Sequence, residues 1–162
     1  MCTVPVLSRV CRESYNEPAA LYETLKRRGM DLVTVTDHDS IDAVEELRGH
    51  ADFFLSEEVT CTMPSGTEMH AGVYGMCDHD HVELQRRRTD IQSLLAYAVE
   101  RRLFVTVNHI YSSLTGTRTE DDFVPARHGR AALPCARLRP GVTSGWLRAA
   151  RARLDADTQC GA

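Results

Sequence analysis

The run Asp31-Leu-Val-Thr-Val-Thr-Asp-His-Asp39 constrains the fold more than any other stretch of this chain. Leu32, Val33 and Val35 are apolar or β-branched, as a buried strand requires. The run then ends in three ionisable side chains, Asp37, His38 and Asp39, which are costly to bury unless they are paired or bound to a metal. A strand that delivers such groups at its C-terminal end puts them where open α/β sheets and barrels carry their active sites. A plainer reading also fits: Asp39 and Ser40 cap the next helix and His38 is a bystander.

The flanking patterns predict what this strand packs with. Residues 1–10 read as a strand, with Thr3, Val4, Val6 and Val10 as β-formers and Pro5 limiting the pairing. A helix follows: Asn16 can cap it, Pro18 suits its first turn, Leu21, Tyr22 and Leu25 form its apolar stripe, and Gly29 stops it. Residues 40–48 carry Ile41, Val44 and Leu47 at helical spacing, and residues 52–55 begin another strand. The order β-α-β-α-β with short connections predicts an α/β fold with parallel strands and right-handed crossovers.

Residues 56–75 break that alternation and read as a β-hairpin turning through Met63-Pro-Ser-Gly-Thr67. A turn centred near Ser65 sets Glu58 opposite a residue near Gly72, with His70 its diagonal neighbour on the same face. A carboxylate and an imidazole so placed can share a metal, or stand as a solvated polar pair on an open face. Asp78-His-Asp-His81 contains an H-x-H pair, but it precedes a long helical stretch at 82–101. Asp78 or Asp80 then serves as a cap, and His79 and His81 fall in an exposed first turn. That helix is marked by Ile91, Leu94, Leu95, Ala98 and Val99. Residues 103–107 are the next strand, and again a histidine, in Asn108-His109, stands where the strand ends.

Bulk properties narrow the class. The 162 residues suit one domain with a sizeable core. No apolar run is long enough to span a bilayer, the first residues lack a signal-peptide pattern, and the cysteines show no C-x-x-C pair, so a cytoplasmic protein without a membrane partner is expected. The net charge of −4 points away from nucleic acid except as a short substrate. Residues 124–162 differ in character: they are rich in Arg, Ala, Gly and Pro and contain no lysine. A basic tail for nucleic acid is one reading. The other is a frameshift near Phe123 to Pro125, because GC-rich coding DNA read out of frame gives this composition. Translating the gene in its other frames tests the second reading: strand–helix alternation after Asp122 is expected in one of them.

The motifs Thr36-Asp-His-Asp39, Glu58-Val-Thr60 followed by His70, and Asn108-His109, in that order, resemble the PHP (polymerase and histidinol phosphatase) family of metal-dependent phosphoesterases. The resemblance covers residues 8–123, so residues 1–123 form the expected PHP-like domain. It implies a distorted β/α barrel, here incomplete, with parallel strands, a hairpin insertion and up to three divalent ions at the strand C-termini. It further implies His38, Glu58, His70 and His109 as metal ligands, with Glu58 favoured over Glu57 as a bridging carboxylate. Asp37 and Asp39 would orient those ligands. Zn²⁺, Mn²⁺ or Fe²⁺ suits such a donor set. The implied reaction is hydrolysis of a phosphomonoester or short nucleotide phosphodiester by metal-activated water, without a protein nucleophile.

The chain departs from the family pattern at both ends. The family's opening H-x-H-S strand corresponds to Pro5-Val-Leu-Ser8, so Pro5 and Leu7 stand where two ligands would. Glu13 is the carboxylate available for the acidic ligand that follows. The family's closing Asp-x-His pair has no counterpart, since His128 is the one histidine after His109. These departures support a second expectation, a non-catalytic PHP-like binding module or an inactive gene fragment.

Overall fold

A computed structural model of the chain describes residues 16–109 and Asp122. The predicted strand at 1–10, Pro5, Leu7, Glu13, His128 and the tail at 124–162 lie outside the described residues. At the centre is the hairpin of β1 (Ser56–Thr62) and β2 (Glu68–Tyr74), paired antiparallel with Glu58 opposite Gly72 and Thr60 opposite His70. The turn sets this register: Met63 N–H bonds the Thr67 carbonyl at 2.9 Å, and Gly66 takes a φ of +83° that a side chain would resist. β3 (Phe104–Asn108) pairs antiparallel with the other side of β2, placing Thr106 opposite Gly72 and Asn108 opposite His70.

Residues 33–38 lie along the remaining side of β1. Val33 pairs with Phe53 and His38 with Glu58, both parallel and with one shared offset, so a single register runs between them. Backbone bonds hold both ends, Phe54 N–H to Val33 at 3.1 Å and Glu58 N–H to Asp37 at 2.8 Å. Between them hydroxyls carry the contact: Thr34 donates to the Phe54 carbonyl at 2.7 Å and Ser56 to the Val35 carbonyl at 2.9 Å. The strand predicted at 52–55 is therefore the lead-in to β1. Residues 33–38, β1 and β3 all run one way and β2 alone opposes them. Among the described residues the parallel pairing is confined to this strip, while the named strands pair antiparallel.

Alternation gives the sheet two unlike faces. Val59, Cys61, Ala71 and Val73 point to one face and are fully buried. Leu84 of α2 (Asp78–Arg87) and Leu94 of α3 (Ile91–Glu100) join them in one core cluster. Glu58, Thr60, His70, Gly72, Thr106 and Asn108 point to the other face.

Two helix expectations are corrected. The stretch predicted as one helix over 82–101 is two, and the first begins ahead of residue 82. Cys77 is its N-cap, with the Asp80 carboxylate accepting the Cys77 N–H at 3.0 Å. The break at Arg88 has a cause: Thr62 of β1 donates its N–H to the Arg88 carbonyl at 2.9 Å, and the Asp90 side chain accepts the Gln92 N–H at 3.0 Å to start α3. Residues 40–48 form a single 3-10 turn, Asp42–Val44, within a series of turns. Ile41, Val44 and Leu47 recur every third residue, a spacing that aligns side chains on a 3-10 turn as well as on an α-helix. Ser40 tips the choice by accepting the Asp42 N–H on its hydroxyl at 3.1 Å, which competes with helical bonding.

α1 (Pro18–Arg27) packs beside the Val33–Phe53 pair through buried Tyr22, whose hydroxyl donates to Asp52 at 2.6 Å. Its N-cap is Glu17 in place of Asn16, and the Glu17 side chain makes no capping bond. Pro18 at the first position has no N–H to satisfy. Gly29, at φ +80°, ends the helix with Gly29 N–H to Lys26 at 2.9 Å and Met30 N–H to Leu25 at 3.2 Å. No helix among the described residues is long and apolar enough to cross a membrane.

Candidate metal centre

Three extended segments deliver imidazoles to one carboxylate on the polar face. Parallel pairing sets His38 beside Glu58, the hairpin register sets His70 diagonal to it, and β3 ends one residue before His109. His38 Nε2 lies 3.2 Å from His70 Nδ1 and 3.5 Å from Glu58 Oε1. His70 Nδ1 lies 3.2 Å from the same oxygen and His109 Nε2 3.7 Å from it. One ligand atom from each of His38, Glu58 and His70 falls within 4.8 Å of the other two. Glu58 is buried and His38 and His70 are half-buried, while the His109 side chain is 64% exposed and stands at the solvent rim.

Glu58 Oε1 is the atom that defines the site. It is buried and accepts no hydrogen bond among the described residues, although three ring nitrogens surround it. Burial pushes the His38 pKa below the ordinary histidine range, with Glu58 opposing and His70 reinforcing the shift. A neutral imidazole is the form that ligates a metal. Two imidazoles and one carboxylate are a donor set of the kind that divalent ions such as zinc take. Those residues fit a divalent ion by donor chemistry and by the orphaned oxygen.

The two aspartates expected to orient the ligands act through the backbone of the His38 segment. Asp37 is buried and its carbonyl holds the Glu58 N–H. Asp39 Oδ1 accepts the Thr60 N–H at 2.8 Å, extending the ladder past His38, and Oδ2 lies 3.0 Å from Arg88 Nη1. Asp39 and His109 both adopt left-handed backbone, φ +54° and +50°, where their segments leave the sheet.

Glu57 points to the opposite face. It is fully buried, with Oε2 2.7 Å from His81 Nδ1 and 3.2 Å from Gln85 Nε2 of α2, and burial raises its pKa. His81, read from sequence as a first-turn surface residue, is thus a partner of a buried acid. Its signal was its place beside Asp80 and Leu84, the inward positions of α2. His79 is exposed. The chain matches no protein-family model, no curated protein and no solved structure.

Proposed function

We propose that the chain is a metal-dependent phosphoesterase of the PHP type, acting on a phosphomonoester or a short nucleotide phosphodiester. The observation that carries this reading is the buried Glu58 Oε1, which accepts no hydrogen bond among the described residues and lies 3.5 Å and 3.2 Å from ring nitrogens of His38 and His70. A carboxylate oxygen buried in that position is costly without a partner, and a cation shared with two imidazoles removes the cost. His38, Glu58 and His70 would hold the ion and His109 would close the site at its solvent rim. When bound, Zn²⁺, Mn²⁺ or Fe²⁺ supplies Lewis acidity, which activates water and offsets developing phosphoryl charge. The sheet supplies the geometry: Glu58 is fixed by pairing on both sides, and Asp39 pins the His38 segment to β1. The free thiols Cys61 and Cys77 fit a reducing compartment, and the cytoplasm is the proposed location.

Elemental mass spectrometry on protein purified without chelators or a histidine tag tests the centre. At least about one equivalent of Zn, Mn or Fe per chain is expected, and less than about half an equivalent in folded protein sinks the reading. Hydrolysis of p-nitrophenyl phosphate or its bis ester should disappear in H38A and H70A. Pro5 and Leu7, in place of two family ligands, favour a second reading, a non-catalytic metal-binding module. A fully loaded protein that turns over neither ester would decide for it.

A further inference from the structure

The face that carries the metal centre continues along the sheet. Glu58, Gly72 and Thr106 form one cross-strand row, and Ser56, Tyr74 and Phe104 form the next on the same face. Gly72 stands directly opposite Glu58, and the space over it is filled. A Cβ placed on Gly72 would fall 2.7 Å from Thr106 Oγ1, 2.8 Å from the Tyr74 hydroxyl oxygen and 3.0 Å from Tyr74 Cε2. Tyr74 therefore lies back over its own strand, and its hydroxyl reaches the row that contains Glu58. Facing Cβ positions in an antiparallel pair are about 5 Å apart, so this hydroxyl lies within a phosphoryl group's reach of the Glu58 side.

The phenol is poised there. Its ring rests against Phe104, with centroids 5.7 Å apart and planes tilted by 51°. Thr106, the other group over Gly72, is anchored to Asn108 at 3.1 Å. The Tyr74 hydroxyl makes no hydrogen bond with any described residue. A half-buried hydroxyl held by packing, with its donor unused, beside a candidate metal centre is an arrangement suited to an anionic acceptor.

We infer that Tyr74 is a substrate-binding residue: its hydroxyl donates to a non-bridging phosphoryl oxygen of an ester seated at His38, Glu58 and His70, and Gly72 is the positioning residue that lets it reach. This rests on the phosphoesterase reading and adds the group that orients the phosphate.

The test is calorimetric titration of inorganic phosphate into wild type, Y74F and G72A, each as purified and after saturation with Mn²⁺, with metal content and thermal midpoint measured alongside. Y74F keeps the ring that packs on Phe104, so metal content and midpoint should match wild type. Its phosphate affinity should fall roughly tenfold, the usual worth of one such hydrogen bond. KM for p-nitrophenyl phosphate should rise by a similar factor while kcat moves less. Equal phosphate affinity in Y74F and wild type, or no saturable binding in either, overturns the inference and leaves Tyr74 a packing residue. Folded G72A should show the same loss with the phenol present, and wild-type affinity there overturns the positioning role. A wild type that takes up no metal sinks the phosphoesterase reading by itself. The phosphate titration of that same protein still decides Tyr74, with a weaker Y74F sustaining it and an equal or absent signal overturning it.

Discussion

Glu57 and Glu58 are successive residues of β1, and both are buried, but the pleat sends them to opposite faces with opposite consequences. Glu57 enters the apolar face, where His81 and Gln85 from α2 meet its Oε2, while its Oε1, like Glu58 Oε1, is buried with no hydrogen-bond partner among the described residues. Glu58 enters the polar face, where imidazoles from three segments converge on an oxygen that accepts no hydrogen bond among the described residues. One acid is tied to the fold by a helix. The other has three ring nitrogens within 3.7 Å of one oxygen. The difference lies in the neighbours, a helix for Glu57 and three imidazoles for Glu58, and each face can be tested on its own.

Glu58→Gln should have the largest effect. The amide keeps the shape and removes the anionic ligand, so metal affinity should fall by more than about 100-fold, about 3 kcal/mol, beyond the loss expected for a supporting group. Stability without metal should hold or rise, because an amide can donate where the carboxylate only accepts. Metal titration and thermal melts in chelator read both. Undiminished metal binding would break the contrast between the two glutamates.

Asp80→Asn tests the helix face. Burial alone would raise the Asp80 pKa, but hydrogen bonds from Arg101, Tyr97 and the Cys77 N–H outweigh it and hold the carboxyl at about 2. Because the folded value lies below the ordinary 3.8, the stability it adds is present above pH 3.8 and is lost as pH falls through about 2. The substitution should cost about 1–2 kcal/mol at neutral pH, a charge-assisted bond weakened but not emptied, and should flatten the acid limb of the stability curve. Metal affinity should not change. A parallel loss of metal would mean that the two faces are not independent.

The sequence exposed these features unevenly, for physical reasons. The hairpin was legible because Pro64, Ser65 and Gly66 mark the turn, and a period of two then places Glu58 and His70 on one face. His38 was legible as the end of an apolar run, and its pairing with Glu58 makes sense of that position. The break at Arg88 was not legible, since the carbonyl that ends α2 is taken by Thr62, distant in sequence. The 3-10 turn was hidden because a spacing of three satisfies both helix types. Tyr74 over Gly72 was invisible for another reason: a glycine in a strand says that something approaches, but not what.

Glu57→Gln should have the smallest effect, and its sign is the sharpest test of the comparison. Burial raises the Glu57 pKa above the ordinary 4.5, with His81 opposing. A carboxyl whose folded value is raised contributes stability that is full below pH 4.5 and is lost as pH rises through the folded value. Glutamine does not titrate. Relative to wild type, the variant should therefore gain stability as pH rises from 4 toward 7, by an amount within about 1 kcal/mol. Denaturant melts at a series of pH values, in chelator, measure the trend. The opposite trend would mean that the His81 pair outweighs burial and that Glu57 is a net stabilising anion. In either case metal affinity should match wild type, because β1's pleat keeps Glu57 on the face away from His38 and His70.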